Sequence, residues 1–118
     1  MTHGGILAFV DVSGKPPLSL EWDMKLWWPQ CETMIAARLA YELFGEEKYR
    51  TLYRETEAFC RAHLMDETGG EWFGYLHYDN TVSTTLKGNL FKGPFHIPRM
   101  YMILSILDGG GSIEAYAT

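Results

Sequence analysis

The alternation of apolar and polar residues changes period along the chain, and each change marks an element. Ile6 to Val12, ILAFVDV, is apolar and β-branched, and Ser13-Gly14-Lys15-Pro16-Pro17 follows as a turn. The pair predicts a short strand or hairpin at the start. Trp28 to Phe44 is built from helix formers, with Pro29 where a first turn tolerates it and Gly45 where a helix can stop. From Glu46 to Met65, the residues Tyr49, Leu52, Tyr53, Thr56, Phe59, Cys60 and His63 recur at helical spacing, so one face of a second helix is mostly apolar. Only Gly45 and its neighbours separate the two helices, which predicts an antiparallel pair.

Gly69-Gly70 breaks the helical period. Glu71 to Tyr78 then reads as a strand, Asp79-Asn80 as a turn, and Thr81 to Thr85 as a return strand. The loop KGNLFKGPF leads to a last helix expected from Pro98 to Leu107 and ended by Gly109-Gly110-Gly111. Met100, Tyr101, Met102, Ile103, Leu104, Ile106 and Leu107 leave that helix almost no polar face. A helix apolar all round is normally buried on every side, and three helices with two hairpins can hardly surround it.

Composition narrows the function classes. The 118 residues, 47% hydrophobic and 21% charged, describe one folded domain and not a disordered chain. Four Trp, seven Tyr and six Phe are many for this length, and fit either a large core or a surface on which sugars stack. A net charge of −5 argues against a nucleic-acid partner, because phosphate binding needs a basic face. The start lacks a basic segment followed by a long apolar one, so no secretory leader is visible, and Met100 to Leu107 is far too short to span a membrane. Cys31 and Cys60 have no CxxC spacing and no ligand cluster around them, which favours two buried thiols in a cytoplasmic protein over a disulfide. No cofactor is called for, and the scattered histidines do not form a metal-binding pattern.

Several ordered motifs carry a resemblance. Lys25-Leu26-Trp27-Trp28-Pro29-Gln30-Cys31-Glu32 and Lys92-Gly93-Pro94-Phe95-His96-Ile97-Pro98-Arg99 resemble segments of the N-acylglucosamine 2-epimerase family, also called renin-binding proteins. Gly70-Glu71-Trp72-Phe73 and Lys87-Gly88 match between them, in order and rough spacing. The resemblance implies an all-α fold: a partial (α/α)6 barrel, or toroid, with short β-hairpins at the loop end, in which residues 1–118 form the carboxyl-terminal part. The all-apolar last helix then becomes an inner helix of that barrel.

The reaction so implied is reversible inversion at C2 of an aldose, interconverting N-acylglucosamine and N-acylmannosamine. The C2 proton is weakly acidic, so the sugar must open and pass through an enediolate. Inversion requires proton removal on one face and return on the other, hence two acid–base groups. Histidine suits both roles, because its ordinary pKa of roughly 6.5 lies near neutrality. The resemblance makes His96 one of the pair and places the other upstream of this sequence, so the chain alone is expected to be inactive. It makes Arg99 a holder of the substrate oxygen, Glu32 a ligand of sugar hydroxyls or the group that orients a histidine, and Trp28 a stacking face. Trp72 and Lys92 are carried over to the pocket on weaker grounds.

Structural readings stand beside these. Glu32 could serve only the dipole of its helix, worth roughly 0.3–1 kcal/mol in a first turn. One of the adjacent Trp27 and Trp28 should be core. His63 on the apolar stripe reads as structural, and His3 and His77 as exposed. The competing function is a non-catalytic interaction module built from the same barrel. The wording KGPFHIPR favours the N-acylglucosamine branch over the cellobiose 2-epimerase branch. Because Met1-Thr2-His3 opens immediately before a Gly-Gly of the resemblance, the chain reads as a piece of a longer barrel. Unburied apolar surface of that kind predicts a homo-oligomer in which Met100, Ile103, Leu104 and Leu107 meet a second copy.

Overall fold

The computed structural model describes residues 2–109; Met1 and the expected helix-ending Gly110-Gly111 lie outside them. The element order is β1 (Lys25–Leu26), α1 (Trp27–Phe44), α2 (Glu47–His63), β2 (Tyr75–Leu76) and α3 (His96–Asp108). Helix α1 is the centre of the arrangement, packing against α2 on one side and α3 on the other.

Both proline-containing helices begin earlier than Pro29 and Pro98 suggest. Each proline is the third residue of its helix. The first four N–H groups of a helix have no intrahelical partner, so a proline anywhere in that turn forfeits nothing. For α3 this shift matters, because it makes His96 the first helical residue. At the other end of α1, Gly45 adopts the left-handed conformation (φ 66°) and its N–H bonds the Tyr41 carbonyl, a stop that non-glycine residues adopt at a cost. Chain reversal there sends α2 back along α1, as the short connection predicts.

The core joins Trp27, Cys31, Met34 and Ile35 of α1 with Phe59 and Cys60 of α2, Trp72, Tyr75 and Leu76 of the loop end, and Ile97, Met100 and Leu104 of α3. Cys31 and Cys60 are buried free thiols, and burial first of all pushes both up to about 12. The stripe on α2 is buried mainly in its second half, at Thr56, Phe59 and Cys60, whereas Leu52 is exposed.

Three expectations need correction. No strand forms at Ile6 to Val12. The segment makes two backbone bonds, from the Ala8 N–H to the Met24 carbonyl (2.8 Å) and from the Phe9 N–H to the Trp22 carbonyl (3.3 Å), and Gln30 ties its start, the buried amide accepting from the Ile6 N–H (3.1 Å) and donating to the Ile6 carbonyl (2.8 Å). Pro16 and Pro17 lack the N–H a longer ladder would need. The expected hairpin of Glu71–Tyr78 with Thr81–Thr85 shrinks to a bridge of Leu76 with Val82 around the turn at Asn80 (φ 74°). Strand β2 instead pairs with β1, antiparallel, with Lys25 opposite Leu76 and Leu26 opposite Tyr75. Finally, α3 is not buried all round. Ile97, Met100, Leu104 and Leu107 form one buried stripe within the chain, so Met100, Leu104 and Leu107 are not free for a second copy; the opposite face exposes Tyr101 and Met102.

Candidate functional site

The first turn of α3 and the second turn of α1 bring three of the singled-out residues together. The Glu32 carboxylate receives both the His96 ring and the Arg99 guanidinium. His96 Nδ1 lies 2.9 Å from Glu32 Oε1, and Arg99 Nη1 donates to Oε1 at 2.5 Å and Oε2 at 2.6 Å. A carboxylate with two cationic or dipolar partners is ionised and can only accept, so the hydrogen between it and the imidazole belongs to Nδ1. This leaves Nε2 of His96, in its neutral form, as the basic nitrogen.

The helix spacing produces this geometry directly. His96 and Arg99 are three apart and lie on one face of α3. Glu32 is the sixth residue of α1, and the first turn of that helix contains no acid, so the dipole-only reading of Glu32 loses its basis. Burial pushes the Glu32 carboxyl up, but the hydrogen bonds from His96 and Arg99, with the charge of Arg99, outweigh it and hold the group below its usual value. The three side chains are between 28% and 35% exposed, open enough to meet a ligand.

Aromatic rings enclose His96. Trp28 lies 6.0 Å away at 37°, Trp27 6.2 Å at 73°, and Phe95 5.0 Å at 82°. Trp27 is core at 3% exposed and Trp28 is open at 37%, the division expected of adjacent helix residues. The Trp27 Nε1 is buried without a hydrogen-bond partner among the described residues. Phe95 was not singled out by the sequence; its position next to His96, at the mouth of the helix, is what places it there.

The remaining two candidates lie elsewhere. Trp72 is buried and packs edge-on against Tyr101 on α3, at 6.4 Å. Lys92 is buried too; its Nζ donates to the Lys87 carbonyl (2.7 Å) and lies 3.4 Å from Glu71 Oε1, with the Trp27 ring 6.0 Å away. It therefore braces the loop that delivers His96. The other histidines gather around Asn80. His63 Nε2 is 3.3 Å from its amide, the His3 carbonyl accepts from that amide, and the His77 carbonyl accepts from the Asn80 N–H. Among the described residues no three His, Cys, Asp or Glu side chains could hold a metal, and no helix is long and apolar enough to cross a membrane.

Residues 1–96 match the family described as N-acylglucosamine 2-epimerase (GlcNAc 2-epimerase). The N-acylglucosamine 2-epimerase of Mus musculus is 43% identical over 97 residues, covering 82% of this chain and 23% of the relative. The cellobiose 2-epimerase of Eubacterium cellulosolvens is 33% identical over 87 residues, covering 73% of this chain and 21% of the relative. Among solved structures, D-mannose isomerase superposes with a TM-score of 0.75 at 26% identity, over 87% of this chain and 26% of that one. The structural neighbours are epimerase and isomerase enzymes of the (α/α)6-barrel type, and the chain spans about a quarter of the length of the relatives it matches.

Proposed function

The chain belongs to the N-acylglucosamine 2-epimerase family, and from that premise we propose that it supplies one half of a sugar 2-epimerase site, within a partial barrel that other helices complete. The observation that carries this reading is the single Glu32 carboxylate shared by His96 and Arg99. In the proposed mechanism, Glu32 holds His96 with Nδ1 protonated, and Nε2 removes or returns the C2 proton of the open-chain sugar. Arg99 balances the charge that develops on the enediolate oxygen. Trp28, half open beside the imidazole, stacks on the apolar face of the substrate. Lys92 serves this site through the loop it holds and Trp72 through its packing on α3, both buried, rather than through the sugar.

N-acylglucosamine and N-acylmannosamine are the proposed substrates, supported by the higher identity to the N-acylglucosamine enzymes than to the cellobiose 2-epimerases. The second acid–base group is assigned to the rest of the barrel, since the other histidines of this chain gather at the Asn80 turn, His63 through its ring and His3 and His77 through their carbonyls, and not beside His96 and Arg99. The purified 118-residue chain should therefore fail to invert N-acetylmannosamine. A chimera carrying residues 4–99 in place of the matching segment of a family enzyme should invert it, with His96→Ala lowering kcat by roughly 10²–10⁴. Full activity of the His96→Ala chimera would sink the assignment.

A cytoplasmic location belongs to the same proposal, supported by the two cysteines kept as buried thiols. Self-association is proposed through the face of α3 that the fold leaves open, where Tyr101 and Met102 are exposed. A sedimentation profile showing only monomer at micromolar concentration would remove it.

A further inference from the structure

Just before α3, one side chain grips the loop that arrives from β2. Asn89 Oδ1 accepts from the N–H groups of Phe91 (2.9 Å) and Lys92 (2.8 Å), and the Asn89 N–H donates to the Lys92 carbonyl (3.2 Å). The other end of the amide, Nδ2, donates to the Tyr75 hydroxyl of β2 at 3.2 Å. We infer that Asn89 and the Tyr75 hydroxyl are positioning residues, which set the place of His96 relative to Glu32 by tying the start of α3 to the strand pair that leads into α1. The inference rests on the proposed proton transfer at His96 and adds the parts that keep the imidazole and its carboxylate in register.

His96 needs such a hold. It is the first residue of α3, and the opening N–H groups of a helix have no intrahelical partner. Phe95 at the N-cap makes no side-chain capping bond, so the helix does not fix its own beginning. Only Gly93, Pro94 and Phe95 separate the gripped Lys92 from His96, and proline is rigid in φ. A span so short carries the position of Lys92 on to the imidazole.

Glu32 is referred to the same frame. Leu26 of β1 lies opposite Tyr75 in the ladder, and the N–H of Trp27, where α1 begins, donates to the Gly74 carbonyl at 3.0 Å. Tyr75 is buried, its ring 5.5 Å from that of Trp27. The strand pair thus fixes the start of α1 directly and the approach to α3 through Tyr75 and Asn89. Without that link, His96 is held by the packing of α3, the Lys92 ammonium and Glu32 itself. Proton transfer punishes slack of this kind, since a shift of about 1 Å can cost about 10²-fold in rate.

The test reads the His96 ring of the ¹⁵N-labelled 118-residue chain by long-range ¹H–¹⁵N correlation, with the imidazole neutral, beside urea unfolding. The expected result is a parent ring protonated on Nδ1, which Asn89→Ala and Tyr75→Phe each move toward a mixture of tautomers. Asn89→Asp keeps the acceptor for Phe91 and Lys92 and can take the Tyr75 hydrogen, so it should restore the parent ring. Asn89 is exposed and Tyr75→Phe deletes one atom, so the urea midpoints should stay near the parent's. In the chimeric enzyme, Asn89→Ala should lower kcat about three- to tenfold, the span of one net hydrogen bond, with KM unchanged. If the parent ring is protonated on Nδ1 and neither substitution changes it or kcat, the positioning role is overturned while the site of Glu32 and His96 stands. A parent ring protonated on Nε2 overturns the site reading, and the positioning role with it.

Discussion

Lys25 and Glu32 lie close together in sequence and each anchors a polar cluster, yet the two clusters are built on opposite principles. Lys25 is 1% exposed, and its ammonium donates to the Tyr78 carbonyl at 2.8 Å and to Asn80 Oδ1 at 2.5 Å, with the His3 carbonyl at 3.5 Å. The rings of Phe59 and Tyr78 lie 5.5 and 5.4 Å from it. Burial pulls its pKa below the usual lysine value, with Asp79 opposing. All of its donors are spent on joining β1, the amino-terminal segment and the turn after β2. Glu32 is a third exposed and holds two groups, His96 and Arg99, that each keep a further nitrogen unbonded among the described residues. A closed, satisfied cation is architecture; on the proposed function, the open carboxylate holding an imidazole and a guanidinium in register serves chemistry.

Lys25→Ala should break the comparison hardest. It removes the donor shared by the part-buried oxygens of Tyr78, Asn80 and His3 and empties the space of a buried stem, so urea unfolding should show a loss of about 3 kcal/mol. Lys25→Met keeps the apolar stem, and its smaller loss would isolate the share of the ammonium. A Lys25→Ala chain as stable as the parent would mean that the closed cluster is not structural.

His96→Ala should cost less, within about 1 kcal/mol in the same measurement, because it removes a partly exposed side chain and one side of an open pair. A loss as large as that of Lys25→Ala would make His96 a structural residue and erase the distinction.

The smallest effect concerns acid. The folded Glu32 lies below its unfolded value, ordinarily about 4.3, so its contribution to stability is present above that pH and fades as pH falls through the lower folded value. Glu32→Gln should leave the chain within about 1 kcal/mol of the parent at neutral pH and make the decline below about pH 4 shallower. An unchanged acid slope would mean that the carboxylate is not held by His96 and Arg99 in solution.

Legibility followed the range of the interactions. All three helices could be read because their signals are local, the 3.6-residue stripe of α2, the helix formers between Pro29 and Gly45 in α1 and the apolar run before Gly109 in α3, and the i, i+3 placement of His96 and Arg99 was visible once a helix began near them. Two boundaries slipped because proline is tolerated throughout a first turn, not only at its start. The β1–β2 pairing joins Lys25 to Leu76, and no local pattern announces a two-residue strand whose partner is so remote. Gln30 could not be found as the tie for Ile6, since a single buried amide has no period. Glu32 came from resemblance alone; its contact with His96 spans 64 positions and depends on α1 packing against α3. Trp72 and Lys92 matched motif positions, but matching cannot tell a wall of the pocket from a brace behind it.

The central claim is that Glu32 fixes the imidazole so that Nε2 is left free to handle a proton. Long-range ¹H–¹⁵N correlation of the histidine rings in the 118-residue chain, recorded with His96 neutral, reads this state directly. The account predicts that His96 carries its proton on Nδ1, and that Glu32→Gln shifts the ring toward a mixture of tautomers. A wild-type His96 protonated on Nε2, unaffected by Glu32→Gln, would contradict it.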